Sequence, residues 1–116
     1  MKAIQDINLE YNHPDLAFPY CGLGSVFFAL DQTPWSLRCY LKAREIREAR
    51  LGGDTVDTGA VYNNLGCCMF KLERNLESKA YFEIAHAIMN TELGQHHERT
   101  LITGRNVKKM ERGTID

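Results

Sequence analysis

The sequence lacks a long apolar run, an excess of one charge and any stretch of low complexity. Its longest apolar segment runs for only five residues, from Val26 to Leu30, whereas a membrane-spanning helix needs roughly 18. The 14 Lys and Arg residues are balanced by 15 Asp and Glu, so the net charge attracts neither nucleic acid nor anionic lipid. Three prolines and nine glycines in 116 residues are too few for a collagen or a flexible linker. We expect one globular domain with no nucleic-acid partner and no membrane partner.

A secretory signal, a disulfide framework and a zinc site are not indicated either. The first ten residues contain no apolar core of the kind that signal peptides have. Cys67 and Cys68 are adjacent and cannot readily bond each other, and their spacing from Cys21 and Cys39 matches no zinc pattern. We expect four reduced, buried thiols in a cytoplasmic protein that holds no metal and no cofactor.

The chain repeats itself at an offset of 42 residues without a gap. Leu9 recurs as Leu51 and again as Leu93. The other matches are Gly52 with Gly94, Thr58 with Thr100, Asn64 with Asn106, Leu23-Gly24 with Leu65-Gly66, Ser36 with Ser78, Tyr40 with Phe82, Ala43 with Ala85, and Ile46 with Ile88. So many coincidences at one offset indicate an array of structural repeats.

Each period contains two helical patterns and no strand pattern. In the second period, apolar residues recur at three- and four-residue intervals, which places them on one stripe of a helix. The stripe of the first helix is Val61, Leu65, Cys68-Met69 and Leu72. The stripe of the second helix is Leu76, Ala80, Ile84 and Ile88, with Phe82, Ala85 and Met89 beside it. The pattern predicts antiparallel helix pairs.

Polar and glycine-containing segments separate the predicted helices. Residues 73–75 form a polar break between the helices of a pair, and residues 52–55 end one helix and offer caps for the next. In the first period, Thr33 can cap a helix whose first turn contains Pro34. The predicted helices cover residues 1–10, 16–30, 34–51, 56–72, 75–93 and 97–111.

The order of small and large side chains within each period is specific. The first period reads Tyr20, Leu23-Gly24, Phe27, Ser36, Tyr40, Ala43, and the second reads Tyr62, Leu65-Gly66, Met69, Ser78, Phe82, Ala85. This order resembles the tetratricopeptide repeat. The resemblance implies an all-α, right-handed superhelical solenoid of antiparallel helix pairs with about three repeats. Gly24 and Gly66 would let the helices of a pair approach closely, and Ala43 and Ala85 would admit the next repeat.

The resemblance also implies a division of the single domain, residues 1–116. Residues 1–10 would be part of the second helix of a preceding repeat, 14–51 and 56–93 would be repeats, and 97–112 a terminal capping helix. The long period and the His-containing connectors are similar to those of kinesin light chains and nephrocystin-like proteins. That subtype implies a cytoplasmic protein, associated with the cytoskeleton or with cilia.

By the same resemblance, the first helices line a concave groove that binds a protein or a peptide. Lys71, Arg105 and Lys109 add positive charge there, which favours an acidic partner. Asn64 and Asn106 match asparagines with which family members bond a peptide backbone; for Asn63 and Asn64, helix capping or bonding between helices is the alternative. The predicted groove residues are Asn63, Asn64, Cys67, Lys71, Arg105, Asn106 and Lys109, with Phe18, Cys21 and Ser25 as candidates on the first helix.

The sequence does not indicate an enzyme. His13, His96 and His97 lie in the connectors, where the resemblance implies capping and turn roles. A cysteine nucleophile would need a nearby histidine and an activating positive charge. We therefore expect a non-enzymatic interaction module. The alternative is a structural element that associates through the open ends of the solenoid into a homo-oligomer or a larger assembly.

Overall fold

A computed structural model describes residues 13–51 and 55–115 of the chain. A 3-10 turn at Pro14–Leu16 precedes five α-helices: α1 Ala17–Ala29, α2 Thr33–Leu51, α3 Val56–Lys71, α4 Asn75–Leu93 and α5 Glu98–Ile115. The described residues contain no strand, which confirms the predicted all-α class. The predicted helix over residues 1–10 lies outside the described residues. None of the helices in the described ranges combines the length and apolarity that a membrane span needs.

Consecutive helices pack against one another along the chain. The close contacts join α1 to α2, α2 to α3, α3 to α4 and α4 to α5. The chain measures 39 × 33 × 19 Å along its principal axes, so it is a flat stack rather than a round bundle. A helical solenoid, in which each repeat touches its neighbours, has this arrangement.

The turns within the helix pairs repeat as the sequence does. Asp31, between α1 and α2, and Glu73, between α3 and α4, both have a φ of 61°, in the left-handed region. They are one 42-residue period apart. Between the pairs, the Thr55 hydroxyl accepts a hydrogen bond from the backbone N–H of Thr58 at 3.2 Å. The prediction that residues 52–55 supply a cap for α3 is therefore confirmed at Thr55.

The helices of each pair meet at a glycine and an aromatic ring. A Cβ atom on Gly24 would lie 2.8 Å from the Tyr40 ring, and one on Gly66 would lie 2.6 Å from the Phe82 ring. Both distances are too short for real atoms, so only glycine allows these approaches. The expected close approach at Gly24 and Gly66 is confirmed, with equivalent surroundings in both repeats.

A buried serine adds a second contact at each of these crossings. The hydroxyl of Ser36 donates to the carbonyl oxygen of Gly24 at 2.7 Å, and that of Ser78 donates to Gly66 at 2.8 Å. Both serines have no exposed surface. In each pair, the serine thus joins the second helix to the first.

The core lies between the helix pairs, where the second helix of one repeat meets the first helix of the next. Ala43 and Ala85 are fully buried, as expected of small residues that admit a neighbouring helix. The main cluster of buried residues draws on α1, α2 and α3 and comprises Ala17, Tyr20, Tyr40, Ala43, Ile46, Val61, Leu65 and Cys68. The predicted core stripe of α3 is confirmed, because Val61, Leu65 and Cys68 have no exposed surface.

The predicted core stripe of α4 is wrong at three of its four positions. Leu76 is 79% exposed and Ile84 is 41% exposed, and Ala80 is exposed as well. The helix buries the fourth position, Ile88, as predicted, together with Ser78, Phe82, Ala85 and Met89. The contacts of Ser78 and Phe82 with Gly66 turn this face inward, although it contains a polar residue.

Candidate functional site

The first helices of the three repeats, α1, α3 and α5, together line a cavity of about 250 Å³, here called cavity I. Four of the predicted groove residues border it: Cys67 and Lys71 from α3, and Asn106 and Lys109 from α5. Phe28 of α1 contributes to the same wall, so all three repeats meet there. The complete lining is Phe28, Cys67, Phe70, Lys71, Phe82, Asn106, Lys109 and Met110.

Two lysine side chains lie against aromatic rings of cavity I. The Nζ atom of Lys109 is 4.6 Å from the centroid of the Phe70 ring, and Nζ of Lys71 is 5.4 Å from that of Phe28. A cation–π contact at an exposed site contributes roughly 0.5–1 kcal/mol. The rings therefore hold two positive charges beside an otherwise apolar wall.

Lys71 also has a carboxylate partner. Its Nζ lies 3.3 Å from Oδ1 of Asp31, in the turn between α1 and α2. Both side chains are exposed, at 47% for Lys71 and 80% for Asp31, and exposed ion pairs of this kind contribute little stability. A carboxylate entering cavity I would compete with Asp31 for the Lys71 ammonium group.

The thiol of Cys67 also borders cavity I. Burial raises its pKa, and the positive charge of Lys109 opposes that rise only in part. The thiol is therefore protonated at neutral pH. It contributes no negative charge that would repel an acidic ligand, and it lacks the lowered pKa of a catalytic cysteine.

The side-chain amides of Asn106 and Asn63 bond each other across α5 and α3. The Nδ2 atom of Asn106 donates to Oδ1 of Asn63 at 3.0 Å. For Asn63, the structure thus has the hydrogen bond between helices that the sequence analysis gave as an alternative. Asn106 keeps its carbonyl oxygen and a second N–H at the edge of cavity I, since a primary amide can donate twice and accept twice.

Asn63 and Asn64 belong to a neighbouring cavity, here called cavity II. It has a volume of about 170 Å³ and also lies between α3 and α5, towards their N-terminal ends. Asn64 borders it together with Arg99 and Thr103. The Asn106–Asn63 hydrogen bond lies between the two cavities.

The remaining predicted residues are not at cavity I. Arg105 lines a separate depression of about 430 Å³ at the end of the helix stack, between α4 and α5, with His86 and Lys108. On α1, Phe18 is 79% exposed, and the hydroxyl of Ser25 lies 3.0 Å from that of Tyr40. Arg105, Phe18 and Ser25 thus do not share cavity I with the other predicted residues.

The residues that sequence reasoning missed include Phe28 and Phe70 of cavity I and Arg99 of cavity II. A signal for the first two was present, since Phe28 and Phe70 are one 42-residue period apart on the first helices of two repeats. Asp31, the partner of Lys71, had no such signal because the two residues come from different repeats.

No group of three or more His, Cys, Asp or Glu side chains in the described ranges is placed to hold a metal ion. The four cysteines are free thiols. Cys39 and Cys68 are buried, and Cys21 and Cys67 are half-buried. Each has a raised pKa because it is removed from solvent.

Comparison with known proteins agrees with the repeated geometry. The sequence pattern described as tetratricopeptide repeat matches residues 15–91, and none of the curated proteins matches the chain. The matched region contains both Gly–aromatic crossings and both buried serines. The chain therefore belongs to the tetratricopeptide repeat family, whose members generally mediate protein–protein interactions rather than catalyse reactions.

Proposed function

We propose that the chain is a non-enzymatic interaction module that binds an acidic peptide or helix in cavity I. The observation that carries this proposal is the placement of the Lys71 and Lys109 ammonium groups over the Phe28 and Phe70 rings. The repeat period and connectors further support the long-helix subtype similar to kinesin light chains and nephrocystin-like proteins. On that basis we place the protein in the cytoplasm, near the cytoskeleton or cilia.

The size and lining of cavity I suit a side chain of a bound segment. Its volume of about 250 Å³ is below the roughly 300–1,000 Å³ of small-molecule sites, which disfavours a free cofactor. An apolar side chain would contact the two phenylalanine rings, and a neighbouring carboxylate would bind Lys71 or Lys109. The free polar atoms of the Asn106 amide could then bond the peptide backbone.

Isothermal titration calorimetry with paired synthetic peptides tests this proposal. One peptide carries a Leu and two Glu residues between Gly-Ser flanks, and its control replaces both Glu residues by Gln. We expect wild type to bind the acidic peptide at least about tenfold more tightly than the control, and the preference to shrink as salt is added.

Matched variants locate the charge selection. Lys71→Gln combined with Lys109→Gln should abolish the preference for Glu, whereas Lys79→Gln on α4, which lines neither cavity, should keep it. Equal affinity of wild type for both peptides, or an undiminished preference in the double variant, would contradict binding at cavity I.

Self-association through the open end at α1 is the second candidate function. Val26 is 46% exposed, whereas Cys68, its counterpart one period later, has no exposed surface because α2 covers it. Leu30 is 44% exposed on the same side of α1. Light scattering over a range of concentrations should show a rising mass that Val26→Lys suppresses. A monomer at every concentration would rule out this candidate without affecting the first.

A further inference from the structure

Four cations follow one face of α5. Arg105, Lys108, Lys109 and Arg112 recur at three- and four-residue intervals, which places them side by side along two helical turns. All four side chains are exposed. The salt bridges among the described residues involve none of them. We call this set the basic face of α5.

The lack of pairing distinguishes α5 from the other charged helix of the stack. On α2, two cations lie in salt bridges along the helix: Lys42 lies 3.4 Å from Glu45 and Arg44 lies 3.5 Å from Glu48. Like charges three or four residues apart destabilise a helix by a few tenths of a kcal/mol per pair. An anionic partner would relieve this repulsion on α5 and gain affinity from it.

Lys109 connects the basic face with cavity I. It contacts the Phe70 ring at the cavity, and Arg105 and Arg112 lie about one turn away on either side of it along α5. Seven residues of helix extend about 10 Å, which equals the length of about three residues of an extended peptide. A segment that leaves cavity I past Lys109 can therefore continue over the basic face.

We infer that the partner carries an acidic run of about three residues next to its cavity-binding segment, and that Arg105, Lys108 and Arg112 bind this run. The inference rests on the proposed function of cavity I, because Lys109 is shared by both sites. The partner is thus an extended acidic polypeptide. It contacts a second surface of the protein, outside the groove.

The surroundings of the basic face favour a polypeptide over nucleic acid or a membrane. Leu101 and Ile102, 50% and 37% exposed, precede the cations on α5 and offer apolar contacts to a neighbouring side chain. Lys109 occupies one face of the Phe70 ring, the face on which a base could otherwise stack. The face is also short, with four cations over two helical turns.

Two peptides and one triple variant test the inference. The short peptide has a Leu and two Glu residues between Gly-Ser flanks, and the long peptide adds three Glu residues. We expect wild type to bind the long peptide about tenfold more tightly than the short one, with a steeper loss of affinity in salt. The variant Arg105→Gln/Lys108→Gln/Arg112→Gln, with Lys109 kept, should bind both peptides as wild type binds the short one. Circular dichroism checks that this surface variant is folded.

The outcomes separate the two proposals. If the triple variant retains the tenfold gain from the added Glu residues, the inference is wrong while binding in cavity I stands. If wild type binds neither peptide, both fail. Tighter binding of a single-stranded RNA oligonucleotide or of phosphatidylserine vesicles than of the long peptide, lost in the triple variant, would also overturn the inference by assigning the face to another partner.

Discussion

The hydroxyl of Ser78 donates a hydrogen bond to the carbonyl oxygen of Gly66 across 2.8 Å, joining α4 to α3 inside the core. Ser36 makes the same bond to Gly24 one period earlier, at 2.7 Å. In each repeat, an aromatic ring packs against the glycine that accepts this hydrogen bond. The same contacts thus set the distance between the paired helices in both repeats.

Two glycines on α1 give a direct test of the close approach. Gly24→Ala should lower the free energy of unfolding by about 1–3 kcal/mol, because the added methyl group would overlap the buried Tyr40 ring. Gly22→Ala should raise it by up to about 1 kcal/mol, since Gly22 has open space around it and alanine favours the helix. Urea denaturation measures both. Equal effects of the two substitutions would contradict the packing at Gly24.

Removing the Ser78 hydroxyl tests its hydrogen bond. Ser78→Ala should reduce the free energy of unfolding by about 1 kcal/mol, the usual contribution of a buried hydrogen bond. Thr91→Ala, an exposed position on the same helix, should change it by less than about 0.5 kcal/mol. Comparable losses in the two variants would argue against a specific role for the Ser78–Gly66 bond.

Asp31 should limit the affinity of cavity I for an acidic peptide. Asp31→Asn frees the Lys71 ammonium group from its ion pair, and we expect about two- to fivefold tighter binding by calorimetry. Asparagine tolerates the left-handed φ of 61° at this position, so the turn should keep its shape. Unchanged or weaker binding by the folded variant would mean that the ligand carboxylate does not reach Lys71.

The stability of the protein should fall in alkaline solution. Burial, with smaller contributions from the neighbouring Cys21 and Cys68, raises the pKa of the Cys39 thiol from 9.0 to about 11. The unfolded chain then loses this proton first, so the stabilisation is complete below pH 9 and is lost between about pH 9 and pH 11. From pH 8 to pH 10 the thiol alone should account for about 1 kcal/mol.

Cys39→Ala isolates this contribution from the other buried thiols and tyrosines. Its free energy of unfolding should fall by about 1 kcal/mol less than that of wild type over the same pH interval. Parallel pH profiles for the two proteins, measured by chemical denaturation, would show that the Cys39 thiol titrates normally in the folded state.

The fold was predictable because the sequence repeats, so each structural feature is indicated once in each of two periods. The offset of 42 residues matches Gly24 to Gly66 and Ser36 to Ser78 from the sequence alone. Apolar spacing alone failed on α4, where it favoured Leu76 as a core residue. The glycine opposite Phe82 decides which face is buried, and that contact lies between two helices rather than within one.

The candidate site was predictable only in part, for a similar reason. Position within the repeat placed Cys67, Lys71, Asn106 and Lys109 on the first helices, and these residues do border one cavity. The bond between Asn106 and Asn63 depends on how α5 rotates against α3. No spacing along the chain specifies that rotation.

The most direct test of the account maps a bound acidic peptide onto the protein by NMR. In a titration of the ¹⁵N-labelled chain with a Leu- and Glu-containing peptide, the largest shift changes should fall on Cys67, Lys71 and Lys109 and on the side-chain amide of Asn106. Shift changes concentrated instead at Leu76 and Ile84, on the exposed face of α4, would contradict binding between the first helices.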